Sequence, residues 1–171
     1  GKLVQHHLII ESDGISETFE YVRDDKGRII KETKFYGDDE GERTIYEYTS
    51  HNQPVSIERF DADNEPESVE KITYNDKDLL TEHRRFDHAN QLLETTEITF
   101  NEKDLPVEKK VLDNKSELVS TTTVSYNDKN ELIRVTEKNR DGKIVSDVVS
   151  VYDDRGNVIE RKIRDFHSRT L

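Results

Sequence analysis

Hydrophobic residues along this chain fall in short alternating runs, each closed by the same turn signature. The signature is an aromatic or aliphatic residue, then Asp or Asn, two free positions, then Gly, Asn, Asp or Ser. An aliphatic residue or Pro stands two positions further on. Its fourth-position residues are Asn52, Asn64, Asp78, Asn90, Asp104, Ser116, Asn130, Gly142 and Gly156, and the last seven intervals are 14, 12, 14, 12, 14, 12 and 14. Period-2 alternation between such turns predicts β-strands, and no segment has the period of a long helix. The predicted fold is all-β: an antiparallel up-and-down meander of about 13 strands built from 26-residue hairpin repeats, in a single-layer or curled sheet. One repeat domain is expected over 1–171, irregular in 1–47 and regular in 48–166.

The turn chemistry is specific. Asp or Asn at the first position caps its own backbone two residues on, and the fourth residue should be left-handed, where Gly is best and Asn or Asp tolerable. A type I turn followed by a left-handed residue is the three-residue hairpin loop with a bulge. Ser116 is the weakest fit. Asp24-Asp25-Lys26-Gly27 and Asp38-Asp39-Glu40-Gly41 read as looser copies, and Gly14 as another. The loop also fixes register, so even-numbered residues oppose even-numbered residues across every turn from Asn52 onward. Glu70 then lies opposite Arg84, Arg84 opposite Glu94, Arg59 opposite Glu67 and Glu97 opposite Lys109.

Apolar residues gather at the strand ends. Pro54, Pro66, Leu80, Leu92, Pro106, Leu118, Leu132, Ile144 and Val158 follow the turns, while strand centres such as Glu82, Arg84, Glu94 and Thr96 are polar. Two apolar ridges with a polar band between them are expected, a layout unlike the apolar inner faces of a sandwich.

Composition narrows the classes. The 171 residues are 31% hydrophobic and 37% charged, with net charge −12. The mean hydropathy is −0.95. Such a chain has little material for a thick core, so much of each strand should stay wet. No cluster of Lys and Arg exists to displace counterions from phosphates, so no nucleic-acid partner is expected. No apolar run reaches the length of a bilayer span. Cysteine is absent, which excludes disulfides and thiolate chemistry. The missing initial Met suggests that the chain starts after a native N-terminus.

The segment Tyr152-Asp153-Asp154-Arg155-Gly156-Asn157-Val158 resembles the YD repeat of RHS-type proteins. Tyr74-Asn75 through Leu80, Phe100-Asn101 through Pro106 and Tyr126-Asn127 through Leu132 are similar, degenerate copies, and Tyr21 with Asp24, Gly27, Arg28 and Ile29 is another. The resemblance implies an extracytoplasmic protein (periplasmic, cell-surface or secreted) built from stacked β-hairpins. In larger members such sheets wind into a shell around a cargo. By this resemblance, a sequence of this length is expected to serve as a surface or scaffold rather than to close such a shell around a toxin domain.

No constellation of catalytic residues stands out, and no cofactor or metal is expected. His51 and His88 sit in turns, His83 is mid-strand, and the neighbours His6 and His7 point to opposite faces of a strand. Turn carboxylates such as Asp61 and Asp63, or Asp76 and Asp78, offer too few oxygens for calcium. The run Ser120–Thr123 fits strand propensity, and the sequon Asn114-Lys115-Ser116 lies inside a repeat turn. The aromatic column Tyr48, Tyr74, Phe100, Tyr126 and Tyr152 is the one candidate binding surface, for sugar rings or a partner's apolar groups; alternatively it packs against the border residues. The expected role is a non-enzymatic scaffold or protein-binding module, with a carbohydrate-binding module as the alternative. Edge-strand contacts are a further expectation, at the N-terminal edge rather than the charge-rich last strand (Glu160, Arg161, Lys162, Arg164).

Overall fold

The computed structural model describes residues 2–12 and 15–166, with side chains from residue 17 onward. Gly14 and His167, and the side chains of His6 and His7, lie outside the described residues. The described chain forms thirteen strands. They are β1 (Lys2–Ser12), β2 (Ile15–Arg23), β3 (Ile29–Tyr36), β4 (Asp39–Tyr48), β5 (Pro54–Phe60), β6 (Pro66–Tyr74) and β7 (Leu80–Asp87). There follow β8 (Leu92–Phe100), β9 (Pro106–Asp113), β10 (Leu118–Tyr126), β11 (Leu132–Asn139), β12 (Ile144–Tyr152) and β13 (Val158–Asp165). They form an antiparallel meander, with strand order equal to chain order. Contacts gather into two compact units, residues 1–78 with 83–93, and 79–82 with 94–171. Both consist of the same hairpins.

The turns form for the reasons the sequence states. All nine fourth-position residues have positive φ, from 58° at Asn90 to 83° at Gly156. In eight of them the first turn residue exchanges two backbone hydrogen bonds with the loop, and in the ninth the Asn75 carbonyl accepts from Asp78 N–H. Asn101 N–H donates to the Leu105 carbonyl at 2.9 Å, and Asp104 N–H donates to the Asn101 carbonyl at 3.0 Å. The side chain of the first residue then satisfies two more donors. Asp113 Oδ1 accepts from the N–H of Lys115 at 2.9 Å and of Glu117 at 3.0 Å. Those bonds hold the Asp113 carboxyl below its ordinary value, because they favour the charged form.

The expected turn at Asp38–Gly41 is corrected. Tyr36 pairs with Asp39, so the loop is Gly37 and Asp38 alone, with Gly37 at φ 65°. Glycine first in a two-residue loop suits a type II′ turn. Gly41 lies inside β4 instead, where a Cβ would stand 2.7 Å from the Tyr36 ring.

The even-to-even register is also corrected. Tyr48 opposes Pro54, as the turn dictates, but Glu47 then opposes Ser56, so Val55 is an extra residue. The same slip follows Phe60–Pro66, Phe100–Pro106, Leu112–Leu118, Tyr126–Leu132, Lys138–Ile144 and Tyr152–Val158. A β-bulge leaves one residue unpaired and shifts every later pair by one. Arg59 therefore opposes Ser68, not Glu67, and Glu97 opposes Lys110, not Lys109. Glu70 is held by ion pairs from Arg59 and from His83 Nε2, the latter at 2.7 Å.

Burial is inverted relative to an ordinary globule. Among the described residues no hydrophobic side chain is fully buried, whereas Thr33, Ser56, Thr95, Thr136, Asp147 and Ser150 are. All six lie within strands, so the polar band lies deeper than the apolar borders. Burying such groups is tolerable only when they are bonded. Lys71 Nζ donates to Ser56 Oγ at 2.8 Å, and Thr136 Oγ1 donates to Asp147 Oδ1 at 2.9 Å.

Candidate functional site

The aromatic column occupies the last position of every even-numbered strand from β4 to β12, just before a turn. All five rings are half-buried. The tyrosine hydroxyls have backbone partners. Tyr74 donates to the Pro54 carbonyl at 2.9 Å, Tyr126 to Pro106 at 2.9 Å and Tyr152 to Leu132 at 2.9 Å. Tyr48 donates to the Ile29 carbonyl at 2.7 Å. The acceptor in each case opens the preceding odd strand. Each tyrosine thus clasps its own strand to the one before it, and Phe100 is the single column member without a hydroxyl. The Arg28 guanidinium carbon stands 4.8 Å from the Tyr48 ring centre, and Arg28 also donates to the Thr49 carbonyl at 2.8 Å.

A second row runs through the turns that follow the even strands. Their third residues are Lys26, His51, Lys77, Lys103, Lys129 and Arg155, all basic. Lys26 Nζ reaches the Ser50 carbonyl at 3.2 Å, and His51 Nδ1 meets Asp78 Oδ1 at 2.9 Å. Lys103 Nζ donates to Asn130 Oδ1 at 2.9 Å, and Lys129 Nζ to the Asp154 carbonyl at 3.2 Å. These cations link one turn to the next. The signal for them was present in the sequence, as a basic residue at a fixed turn position.

Between two such turns lies an open depression of about 470 Å³, lined by Asn101, Lys103, Val107, Tyr126, Asn127 and Asn130 among others. It offers amide groups, the Lys103 ammonium and the carboxylates of Glu102 and Asp128 beside a half-buried ring, a polar surface that can contact a ligand.

The titratable groups that shift are structural in their partners. Burial raises the Glu70 pKa, but hydrogen bonds from Arg59 and His83 outweigh it, and the net direction is downward. The Arg134 guanidinium lowers Asp147, with a bond from Thr136 adding to it, and Arg134 Nε lies 2.8 Å from Asp147 Oδ1. Among the described residues no three His, Asp or Glu side chains converge as metal ligands do. Among the described residues no helix is long and apolar enough to cross a membrane.

No family model matches the sequence, and no curated protein matches it. Solved structures do match in fold. The Photorhabdus luminescens Tc holotoxin pore containing TccC3 aligns at TM-score 0.64 and 14% identity, over 88% of this chain and 8% of that one. A TcdB2-TccC3 structure without its hypervariable C-terminal region aligns at TM-score 0.64 and 14% identity, over 87% of this chain and 8% of that one. At that identity the likeness is one of fold: the antiparallel hairpin meander is shared with a stretch of a far longer toxin chain.

Proposed function

We propose that this chain is a non-enzymatic β-repeat module of the YD- or RHS-like kind, acting outside the cytoplasm as a structural scaffold or protein-binding surface. One observation carries the reading. The hydroxyls of Tyr48, Tyr74, Tyr126 and Tyr152 all bond to backbone carbonyls of the preceding strand. Groups spent on joining one hairpin to the next are not presented to a substrate. The fold likeness to Tc toxin chains supports the same reading, since those chains contain a comparable meander. The ladder of basic turn residues adds a second internal seam.

The alternative, a carbohydrate-binding module, has the depression beside Tyr126 behind it. A glycan array separates the two. The scaffold reading predicts no saturable glycan binding, and a thermal midpoint that falls in Tyr126→Ala. Saturable binding that disappears in Tyr126→Ala, with the midpoint unchanged, would replace it with the carbohydrate reading.

A further inference from the structure

Nine of the ten asparagines in this chain stand where the hairpin turns use them, and Asn114 does not. Asn75, Asn101, Asn127 and Asn139 take the first turn position, where the side-chain oxygen accepts loop N–H groups. Asn101 Oδ1, for instance, accepts from Lys103 at 2.9 Å and from Leu105 at 3.0 Å. Asn52, Asn64, Asn90 and Asn130 take the fourth position, with positive φ. Asn157 takes the fifth and donates from Nδ2 to Asp153 Oδ2 at 3.0 Å. Asn114 alone takes the second position, in the turn between β9 and β10. Other turns place residues as different as Ala62, His88, Glu102 and Arg140 there, so the backbone asks for no particular side chain.

The same turn holds a second departure. Of the nine fourth-position residues, four are Asn, two Asp, two Gly, and the remaining one is Ser116. Its φ is 62°, a conformation that Gly, Asn and Asp accept more readily. Asp113 holds this turn, because its Oδ1 accepts from Lys115 N–H at 2.9 Å and Glu117 N–H at 3.0 Å. Among the described residues no hydrogen bond reaches the Asn114 amide or the Ser116 hydroxyl, and both residues are exposed. The two misplaced residues stand two apart. Together they write Asn114-Lys115-Ser116, the single Asn-X-Ser or Asn-X-Thr sequence in the chain. That pattern on a surface loop is the acceptor sequence for N-linked glycans.

We propose that Asn114 is an acceptor site for an N-linked glycan. Transfer joins Asn114 Nδ2 to the anomeric carbon of an oligosaccharide carried on a polyprenyl pyrophosphate. The bond from that carbon to the pyrophosphate oxygen breaks, the lipid pyrophosphate leaves, and the amide gives one proton to the transferase. The Ser116 hydroxyl is the group that the transferase reads two residues on. Because the Asn114 amide bonds to no described residue, the glycan costs the turn no contact. In the meander this turn lies on the border opposite Tyr126 and Tyr152, so the clasps stay untouched. The proposal rests on the reading of the chain as a protein acting outside the cytoplasm, where such lipid-linked donors are consumed.

The test is mass spectrometry of the full chain expressed in its native host, beside Asn114→Gln and Ser116→Gly. The parent should carry one glycan, on the peptide that contains Asn114, and both variants should lose it. Ser116→Gly removes the hydroxyl while easing the left-handed turn, so its loss of glycan does not come from misfolding. A parent with a bare Asn114, or a Ser116→Gly chain that keeps the glycan, would overturn the proposal. Fractionation of the same cells separates this failure from failure of the reading beneath it. A bare Asn114 on a chain found outside the cytoplasm leaves the scaffold reading standing. A chain found in the cytoplasm removes that reading and the proposal together.

Discussion

Replacing Phe100 with tyrosine should stabilise this protein. The four tyrosines of the column donate to carbonyls 19 or 20 residues earlier, at 2.7–2.9 Å. Twenty residues before Phe100 stands Leu80, which opens β7 as Pro54 opens β5 and Leu132 opens β11. By the repeat, a hydroxyl added at Phe100 should meet the Leu80 carbonyl. A net intramolecular hydrogen bond is worth about 0.5–1.5 kcal/mol. For a chain of this length, 1 kcal/mol moves the thermal midpoint by about 2–4 °C. Phe100→Tyr should raise the midpoint by about 1–6 °C, and Tyr152→Phe should lower it by a similar amount. Circular dichroism at 218 nm and calorimetry, run on both variants and the double variant, read these shifts; about 218 nm is the strand band, and the double variant should return near the parent because the two sites share no partner. A Phe100→Tyr midpoint at or below the parent, together with an unaltered Tyr152→Phe, would refute the clasp.

Three other perturbations test separate parts of the structure. Ser116 holds φ 62°, a conformation that costs a residue with a Cβ roughly 1–2 kcal/mol. Ser116→Gly should gain up to about 1 kcal/mol after the added freedom of the unfolded chain is subtracted, and Ser116→Val should lose stability by denaturant titration. A Cβ at Gly41 would stand 2.7 Å from the Tyr36 ring and 3.1 Å from the Lys34 carbonyl, so Gly41→Ala should cost about 1–3 kcal/mol, and an unchanged midpoint would show that the ring yields freely. Acid should unfold the chain progressively. Glu70, Asp113, Asp147 and Asp153 all have folded-state pKa values lowered from ordinary values of 4.5 for Glu and 3.8 for Asp. Their contribution is complete above the unfolded values and is lost as pH falls through the lowered folded ones, so stability should be flat above about pH 5.5 and drop below it. A stability curve that rises on acidification would contradict these pairings.

Much of the fold was legible because its turns use few residue types for a stated reason. Left-handed backbone selects Gly, Asn and Asp, and a first-position carboxylate or amide satisfies two loop donors, so the strand boundaries follow from residues such as Asn52, Asp113 and Gly156. The slip after each turn was less visible. Its one mark is a pair of consecutive apolar residues, as at Leu132-Ile133 or Val158-Ile159, which alternation alone reads as two faces of one strand. That slip redirected the predicted pairs Arg59–Glu67 and Glu97–Lys109. The Gly37-Asp38 turn was hidden by a nearer copy of the motif, and Gly41 served close packing instead. The tyrosine column is legible in the sequence, but a backbone carbonyl has no sequence signature, so the acceptors at Pro54, Pro106 and Leu132 are visible only in the folded chain. The turn-bridging cations could have been found from their 26-residue spacing at Lys77, Lys103, Lys129 and Arg155.

The most direct test of the central claim, that the aromatic column builds the sheet, is proton NMR of the tyrosine hydroxyls in the free protein. The account predicts slowly exchanging hydroxyl resonances for Tyr74 and Tyr152, with contacts to the protons of Pro54 and Leu132. Rapid exchange with water at both residues, and rings without contact to the preceding strand, would contradict it and return the column to the role of an open binding surface.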